Sequence, residues 1–236
     1  MESLKGKKVI LVGATGGIGS AAAKLLSGSQ AQLFLVGRNP QKLNELSDGL
    51  SGTDQYTLDI TRDNDVSSMG AAYLEKYGTP DILINAAGIG IIRPLEQLTM
   101  EDFMRSLQTN LMGTFSLLKA FLPPMKEVKK GLIINIPGVL GKVPMAGAAA
   151  YSASKYGLIG MMQSVREEIK RTDIRITNLI LGGVDSPFWD TIDLRVQKEK
   201  MIREEEAARA IWFLCQQPAS GVVSEMVLQP FNHQAV

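Results

Sequence analysis

Short runs of Ile, Leu and Val, each long enough for one strand, alternate along this chain with amphipathic stretches long enough for helices. The runs are Lys8–Val12, Gln32–Val36, Gln55–Leu58, Ile82–Ile84, Leu132–Ile136, Arg175–Ile180 and Val222–Leu228. Most are apolar at successive positions rather than at every second one, so neither face of the resulting sheet can meet water. Strands buried on both faces need helices above and below, and strand–helix alternation joins them in parallel by crossovers. The pattern predicts an α/β fold built on a doubly wound parallel sheet of about seven strands with helices on both faces. A length of 236 residues fits a single domain of this kind and leaves little room for a second.

Of the helical stretches, the longest runs from Thr99 to about Leu122, with Met100, Phe103, Leu107, Leu111, Phe115, Leu118 and Leu122 forming one apolar stripe. Thr99 with Asp102 reads as its N-terminal cap, and Pro123–Pro124 as its end. Further helices are expected over about Ser152–Arg171 and Glu204–Gln217. Residues 185–203 begin Asp-Ser-Pro-Phe-Trp and continue in mixed charge with weak periodicity, which predicts a mobile substrate loop with a short helix over a site.

Composition removes several chemistries. The only His, His233, lies at the frayed end of the chain, and the only Cys is Cys215 in the apolar run IWFLC. A His-based triad, a Cys/His zinc site and an intrachain disulfide are therefore excluded, and the thiol usage fits a cytoplasmic protein. A formal charge of +1 supplies no basic field for nucleic acid, and no apolar run is long enough for a membrane span. The apolar VILVG near the start is one strand long and enters a glycine turn, so no signal peptide is expected.

That turn is GATGGIG, with Gly13, Gly17 and Gly19 between the first strand and the helix-forming run AAAKLL. Glycines at a strand-to-helix turn let backbone N–H groups and the positive helix end approach a pyrophosphate, where side chains would hold it away. The arrangement makes the fold Rossmann-like and points to a dinucleotide. The second strand ends Val36-Gly37-Arg38-Asn39, without the acid that binds the ribose 2′-OH of NAD. Arg38 there suits the 2′-phosphate of NADP, which makes NADP(H) the expected cofactor over NAD(H). Asp59 ends the third strand and is a candidate acceptor for the adenine amino group, or a cap for the next turn.

Tyr151 and Lys155 stand one helical turn apart in YSASK. An ammonium at that distance favours a phenolate and turns a weak acid into an acid–base catalyst, although the same pair also arises by chance on surface helices. Together with the glycine loop, INAAG at Ile84–Gly88, Asn110 in the long helix and LILGGVDSPFW at Leu179–Trp189, YSASK resembles the short-chain dehydrogenase/reductase family over the whole chain. The resemblance implies pyrophosphate contacts from Gly13, Thr15, Gly17, Ile18 and Gly19, an adenine contact from Asp59, and support of the cofactor's ribose region by Asn85 and Gly88. It implies that Gly182, Val184 and Ser186 close over the nicotinamide and that Tyr151 is the general acid or base. Lys155 would hold the nicotinamide ribose, Asn110 would bind a water of the proton relay, and the protein would be a homodimer or homotetramer.

One element of the family pattern is missing. The catalytic Ser expected thirteen positions before the Tyr is Gly138, and Pro137 before it offers no hydroxyl. Losing one oxyanion donor costs about 10²–10³ in rate, which is a handicap rather than an abolition. Two readings stand: an oxidoreductase interconverting a carbonyl and a secondary alcohol, or an NADP(H)-binding sensor or scaffold with little catalysis. Ile89 to Ile92, Val139, Leu140, Met145, Phe188 and Trp189 are candidate pocket walls for a small apolar substrate, with Arg93 as a charged position at the rim.

Overall fold

A computed structural model describes residues 2–233. Seven strands, β1 (Lys8–Val12), β2 (Gln32–Gly37), β3 (Thr53–Thr57), β4 (Ile82–Asn85), β5 (Lys130–Asn135), β6 (Asp173–Leu181) and β9 (Glu225–Leu228), pair in the order 3-2-1-4-5-6-9, all parallel. Two-residue strands β7 (Val184–Asp185) and β8 (Ile202–Arg203) form a separate parallel ladder.

Alternate residues of each central strand feed two cores. Val9, Leu11, Leu33, Leu35, Ile82 and Ile84 face one way, against helices α1 (Gly17–Gly28) and α7 (Glu204–Cys215), while α2 (Pro40–Asp48) adds Leu43. Ile10, Val12, Phe34, Val36, Leu83 and Ile133 face the other, against α3 (Asp63–Tyr77), α5 (Gly113–Val128) and α6 (Ala149–Ile169). This two-sided burial is what the continuous apolar runs require. Small residues, Ala22 and Ala23 of α1 with Ala207 and Ala208 of α7, are all buried where those helices lie together.

Strand order reverses between β1 and β4, so their carboxyl ends border a crevice, the place where open α/β sheets bind ligands. Gly13 permits the close approach there: it has φ 82°, and a Cβ would lie 2.6 Å from the main-chain N of Ala87.

The stretch beginning at Thr99 differs from its expectation. Thr99 and Asp102 do form a reciprocal capping box at the start of α4 (Met100–Leu107). A π-helical turn, Gln108–Met112, then separates α4 from α5. Pro123–Pro124 do not end the helix, which continues to Val128 because Phe121, Leu122 and Met125 are buried one turn either side. The carbonyls that lose partners belong to Lys119 and Ala120, and Lys119 is exposed, so water can satisfy them. The predicted apolar stripe is the buried face only in part: Leu118 and Leu122 are buried and Leu111 packs on the core, but Met100 and Phe115 are exposed, whereas Asp102, Ser106, Asn110 and Thr114 are buried. Strand bounds also shift: β3 ends at Thr57, leaving Asp59 beyond it, β5 and β6 begin at Lys130 and Asp173 rather than Leu132 and Arg175, and β9 starts at Glu225 rather than Val222.

Candidate active site

At the crevice, α1 begins without a side-chain cap; its preceding residue is Gly16. The first N–H groups of any helix lack intrahelical partners, so those of Gly17, Ile18 and Gly19 form a seat for an anion. Gly19 has no room for a side chain, since a Cβ would strike the carbonyl oxygen of Gly13. A Cβ on Gly17 would collide with the Glu204 carboxylate and lie 3.1 Å from Ser186 Cβ. A carboxylate of the chain itself therefore stands against the start of α1, and the residues present fit the phosphates of a dinucleotide.

Beside the loop, Thr15 packs against Gly37, its Oγ1 and Cγ2 each 3.1 Å from where a Cβ would stand. Arg38 follows directly after β2 and is exposed. Asp59 accepts from the Thr61 N–H at 3.0 Å and hydroxyl at 2.8 Å, capping the next turn. Burial pushes its carboxyl up, but those hydrogen bonds with the charges of Arg38 and Arg62 outweigh it, and the net shift is downward.

Deeper in, Asn85 donates to Thr114 Oγ1 at 2.7 Å and accepts from the Ala87 N–H, while Thr114 donates to the Asn110 carbonyl at 3.0 Å. The Asn110 amide accepts from the Ile89 N–H at 2.9 Å and donates to the Ile89 carbonyl and to Ser154 Oγ, each at 3.0 Å. Ser154 in turn donates to the Tyr151 carbonyl at 2.7 Å. Asn110 thus ties the loop after β4 to α6, with three of the four hydrogen bonds its amide can form made to protein groups. The π-turn that carries it is a feature common at functional sites.

Tyr151 and Lys155 project from α6 into this cluster. Lys155 Nζ donates to the Ile136 carbonyl at 3.1 Å and lies 5.5 Å from the centre of the Tyr151 ring. A Cβ on Gly88 would stand 3.1 Å from Asn110 Oδ1 and 3.4 Å from Lys155 Nζ, so Gly88, Asn110 and Lys155 converge. Burial governs both titrating groups of the chain by itself: it pushes the Tyr151 hydroxyl up and Lys155 down to about 8. The depressed phenol expected from the spacing is therefore not a property of the protein alone.

Gly138 faces the same hydroxyl. A Cβ there would be 3.5 Å from Tyr151 Oη, an ordinary contact, but the backbone has φ 75° and ψ 165°, a region essentially reserved for glycine. The position lacks the hydroxyl and also the backbone that would carry one.

The segment after β6 covers the cluster. Phe188 lies against Gly90 and packs on the Tyr151 ring with centroids 5.9 Å apart, and Trp189 meets Phe188 edge-on. Trp189 Nε1 donates to the Val184 carbonyl at 2.8 Å. Gly182 approaches Pro230, whose Cδ would be 2.6 Å from an added Cβ. Ser186 is buried at the start of a 3₁₀ turn, Pro187–Thr191. Arg93 is committed elsewhere, paired with Asp102 at 3.0 Å.

Sequence reasoning missed Ser154, Thr114 and Glu204. Ser154 lay within YSASK, and Thr114 stands one turn after Asn110, where a hydroxyl can bond back to a helix carbonyl. A groove of about 440 Å³ between the end of α6 and residues 219–224 lies away from this cluster. Its arginines bond main-chain carbonyls: Arg166 that of Ser224 and Arg175 that of Pro218. Among the described residues there is no group of His, Cys, Asp and Glu suited to a metal, and no helix long and apolar enough to cross a membrane.

A family model described as short chain dehydrogenase matches residues 7–196. An uncharacterized oxidoreductase of Staphylococcus epidermidis is 31% identical over 98% of this chain and 100% of its own length. A 3-oxoacyl-[acyl-carrier-protein] reductase of Thermotoga maritima is 28% identical over 95% of this chain and 96% of its own. Among solved structures, an alcohol dehydrogenase from the archaeon Thermococcus sibiricus complexed with 5-hydroxy-NADP superposes with a TM-score of 0.90 at 25% identity, covering 98% of this chain and all of that one. A metagenomic short-chain oxidoreductase in complex with NADP gives 0.82 at 29% identity, covering 97% and 99%.

Proposed function

The chain belongs to the short-chain dehydrogenase family, and from that premise we propose that it is an NADP(H)-dependent oxidoreductase interconverting a small apolar carbonyl compound and its secondary alcohol. The observation that carries the reading is the convergence of Tyr151, Lys155 and the Asn110–Ser154 tie beneath an aromatic cover. The nicotinamide of a bound cofactor supplies or accepts the hydride. Tyr151 gives its hydroxyl proton to the carbonyl oxygen in reduction and takes it back in oxidation. Lys155, held by the Ile136 carbonyl, keeps a cation beside the ring that opposes the burial raising the phenol. The Asn110 amide fixes the loop after β4 to α6, and the lone pair its oxygen keeps free is available to the water of the relay.

Arg38, with no acid at the end of β2, supports NADP over NAD. Phe188, packed on the Tyr151 ring, and Trp189 behind it support an apolar substrate. Exposed Met100, Met104, Met112 and Phe115 on α4, the π-turn and α5 support pairing with a second copy, as a homodimer or homotetramer. The single, buried Cys215 supports a cytoplasmic setting.

Turnover of NADPH with a panel of aldehydes and ketones tests the proposal. Tyr151→Phe is expected to lower it by at least about 10²-fold while leaving the dissociation constant for NADP⁺ unchanged. Unchanged turnover would refute the assignment of Tyr151. Gly138 favours one other reading, a dinucleotide-binding protein with little catalysis; tight NADP⁺ binding without turnover of any panel member would select it.

A further inference from the structure

Glu204 is the first residue of α7, yet its carboxylate lies over the first residue of α1. A Cβ on Gly17 would strike Glu204 Oε1 and be 2.5 Å from Cδ. The backbone beneath this side chain is held firmly. β8 immediately precedes it and pairs with β7, Val184 with Ile202 and Asp185 with Arg203, and α7 packs on α1. Only the side chain can leave the seat.

Its surroundings are unfavourable to a carboxylate. Partial burial, then Glu205 of α7 and Asp185 of β7, raise its pKa, and of the facing groups only Lys24 of α1 opposes them. Glu206 of the same turn is instead engaged by Arg203, through both its N–H and its guanidinium. Beside Lys24 and the start of α7, on which it stands, the attraction on the Glu204 carboxylate is the positive end of α1, the feature that recommends this loop for a pyrophosphate.

We propose that Glu204 is an affinity-determining residue of the dinucleotide site: its carboxylate stands where the pyrophosphate must lie, and the cofactor binds only by turning it out. This rests on the dinucleotide reading above. Two anions cannot share one helix end, so the free protein carries an internal competitor whose removal strengthens binding. A carboxyl group at a helix N-terminus contributes enough that its loss corresponds to an affinity change of about tenfold.

The test is calorimetric titration of the full-length protein with NADP⁺ at pH 8, for wild type, Glu204→Gln, Glu204→Ala and Glu205→Gln. Both Glu204 variants are expected to bind about tenfold more tightly than wild type, and Glu205→Gln within about twofold of it. Adenosine 2′-monophosphate, which lacks the pyrophosphate, is expected to bind wild type and Glu204→Gln alike. Equal or weaker NADP⁺ binding by both Glu204 variants overturns the proposal while leaving the dinucleotide reading intact, as does an equal gain for adenosine 2′-monophosphate. Failure of every variant to bind NADP⁺ or NAD⁺ overturns the dinucleotide reading itself.

Discussion

Replacing Lys155 by Met is expected to stabilise the fold while destroying the activity. Lys155 is 4% exposed, and burial lowers its pKa from 10.5 to about 8. At pH 7 the native protein nonetheless holds the charge. The gap of about 2.5 units, at 1.36 kcal/mol each, makes that burial cost about 3 kcal/mol relative to the unfolded chain. Met of similar length fills the same space without the charge. It forfeits the bond to the Ile136 carbonyl, worth about 1 kcal/mol, so the net gain is about 2 kcal/mol. For a chain of this size that is a rise in Tm of about 4–8 °C.

The pH dependence has a definite sign. Below pH 8 the native and unfolded states both hold the proton and the cost is fully present. Between pH 8 and about 10.4 the native state releases it first, so the unfolded state binds more protons and wild-type stability rises with pH. Urea denaturation of wild type and Lys155→Met at pH 7 and pH 9.5, at one protein concentration, measures both effects. The variant's advantage should be largest at pH 7 and shrink at pH 9.5. A variant no more stable than wild type at pH 7, or an advantage that grows with pH, would refute the reasoning.

Other expectations follow from the same geometry. Gly138→Ser, which restores the family's hydroxyl in sequence, should lower stability by about 1–3 kcal/mol in urea denaturation, because φ 75° with ψ 165° suits only glycine. A stability equal to wild type would show that the loop relaxes freely. Arg38→Asp should shift the ratio of NADP⁺ to NAD⁺ affinities at least about tenfold toward NAD⁺, measured by titration with each, since it removes a cation and adds an acceptor at the end of β2. An unchanged ratio would place the 2′-phosphate away from residue 38.

What could be read before any coordinates followed from local rules. Strands β1, β2 and β4 were legible because buried parallel strands leave no position for a polar residue. The glycine loop and Tyr151 with Lys155 were legible because their spacing is itself the geometry. Pro123–Pro124 misled because the local penalty was smaller than the burial of Phe121 and Met125 around it. The apolar stripe held at Leu118 and Leu122 but misled at Phe115, because the π-turn before it changes which side chains share a face. Glu204 was invisible for a different reason. Three glutamates opening a helix read as ordinary acids at a positive helix end, and only the packing of α7 on α1 shows that one of them serves a neighbouring helix. Gly138 was legible as an absence, but its backbone conformation was not.

The two-residue ladder of β7 and β8 fixes the ends of the segment between them. Residues 186–201 leave the core at Asp185 and return at Ile202, and these ends are fixed to each other whatever lies between. Lengthening such an excursion costs only about 0.6 kcal/mol per doubling, because closure entropy grows with the logarithm of length. The sheet, the glycine loop and the Tyr151 cluster lie outside it. The segment that carries Phe188 and Trp189 thus hangs from two fixed ends: under the proposed function, a new sequence between the same strands that kept the buried Ser186 and Ile192 would change which molecules reach Tyr151 at little cost to the stability of the domain.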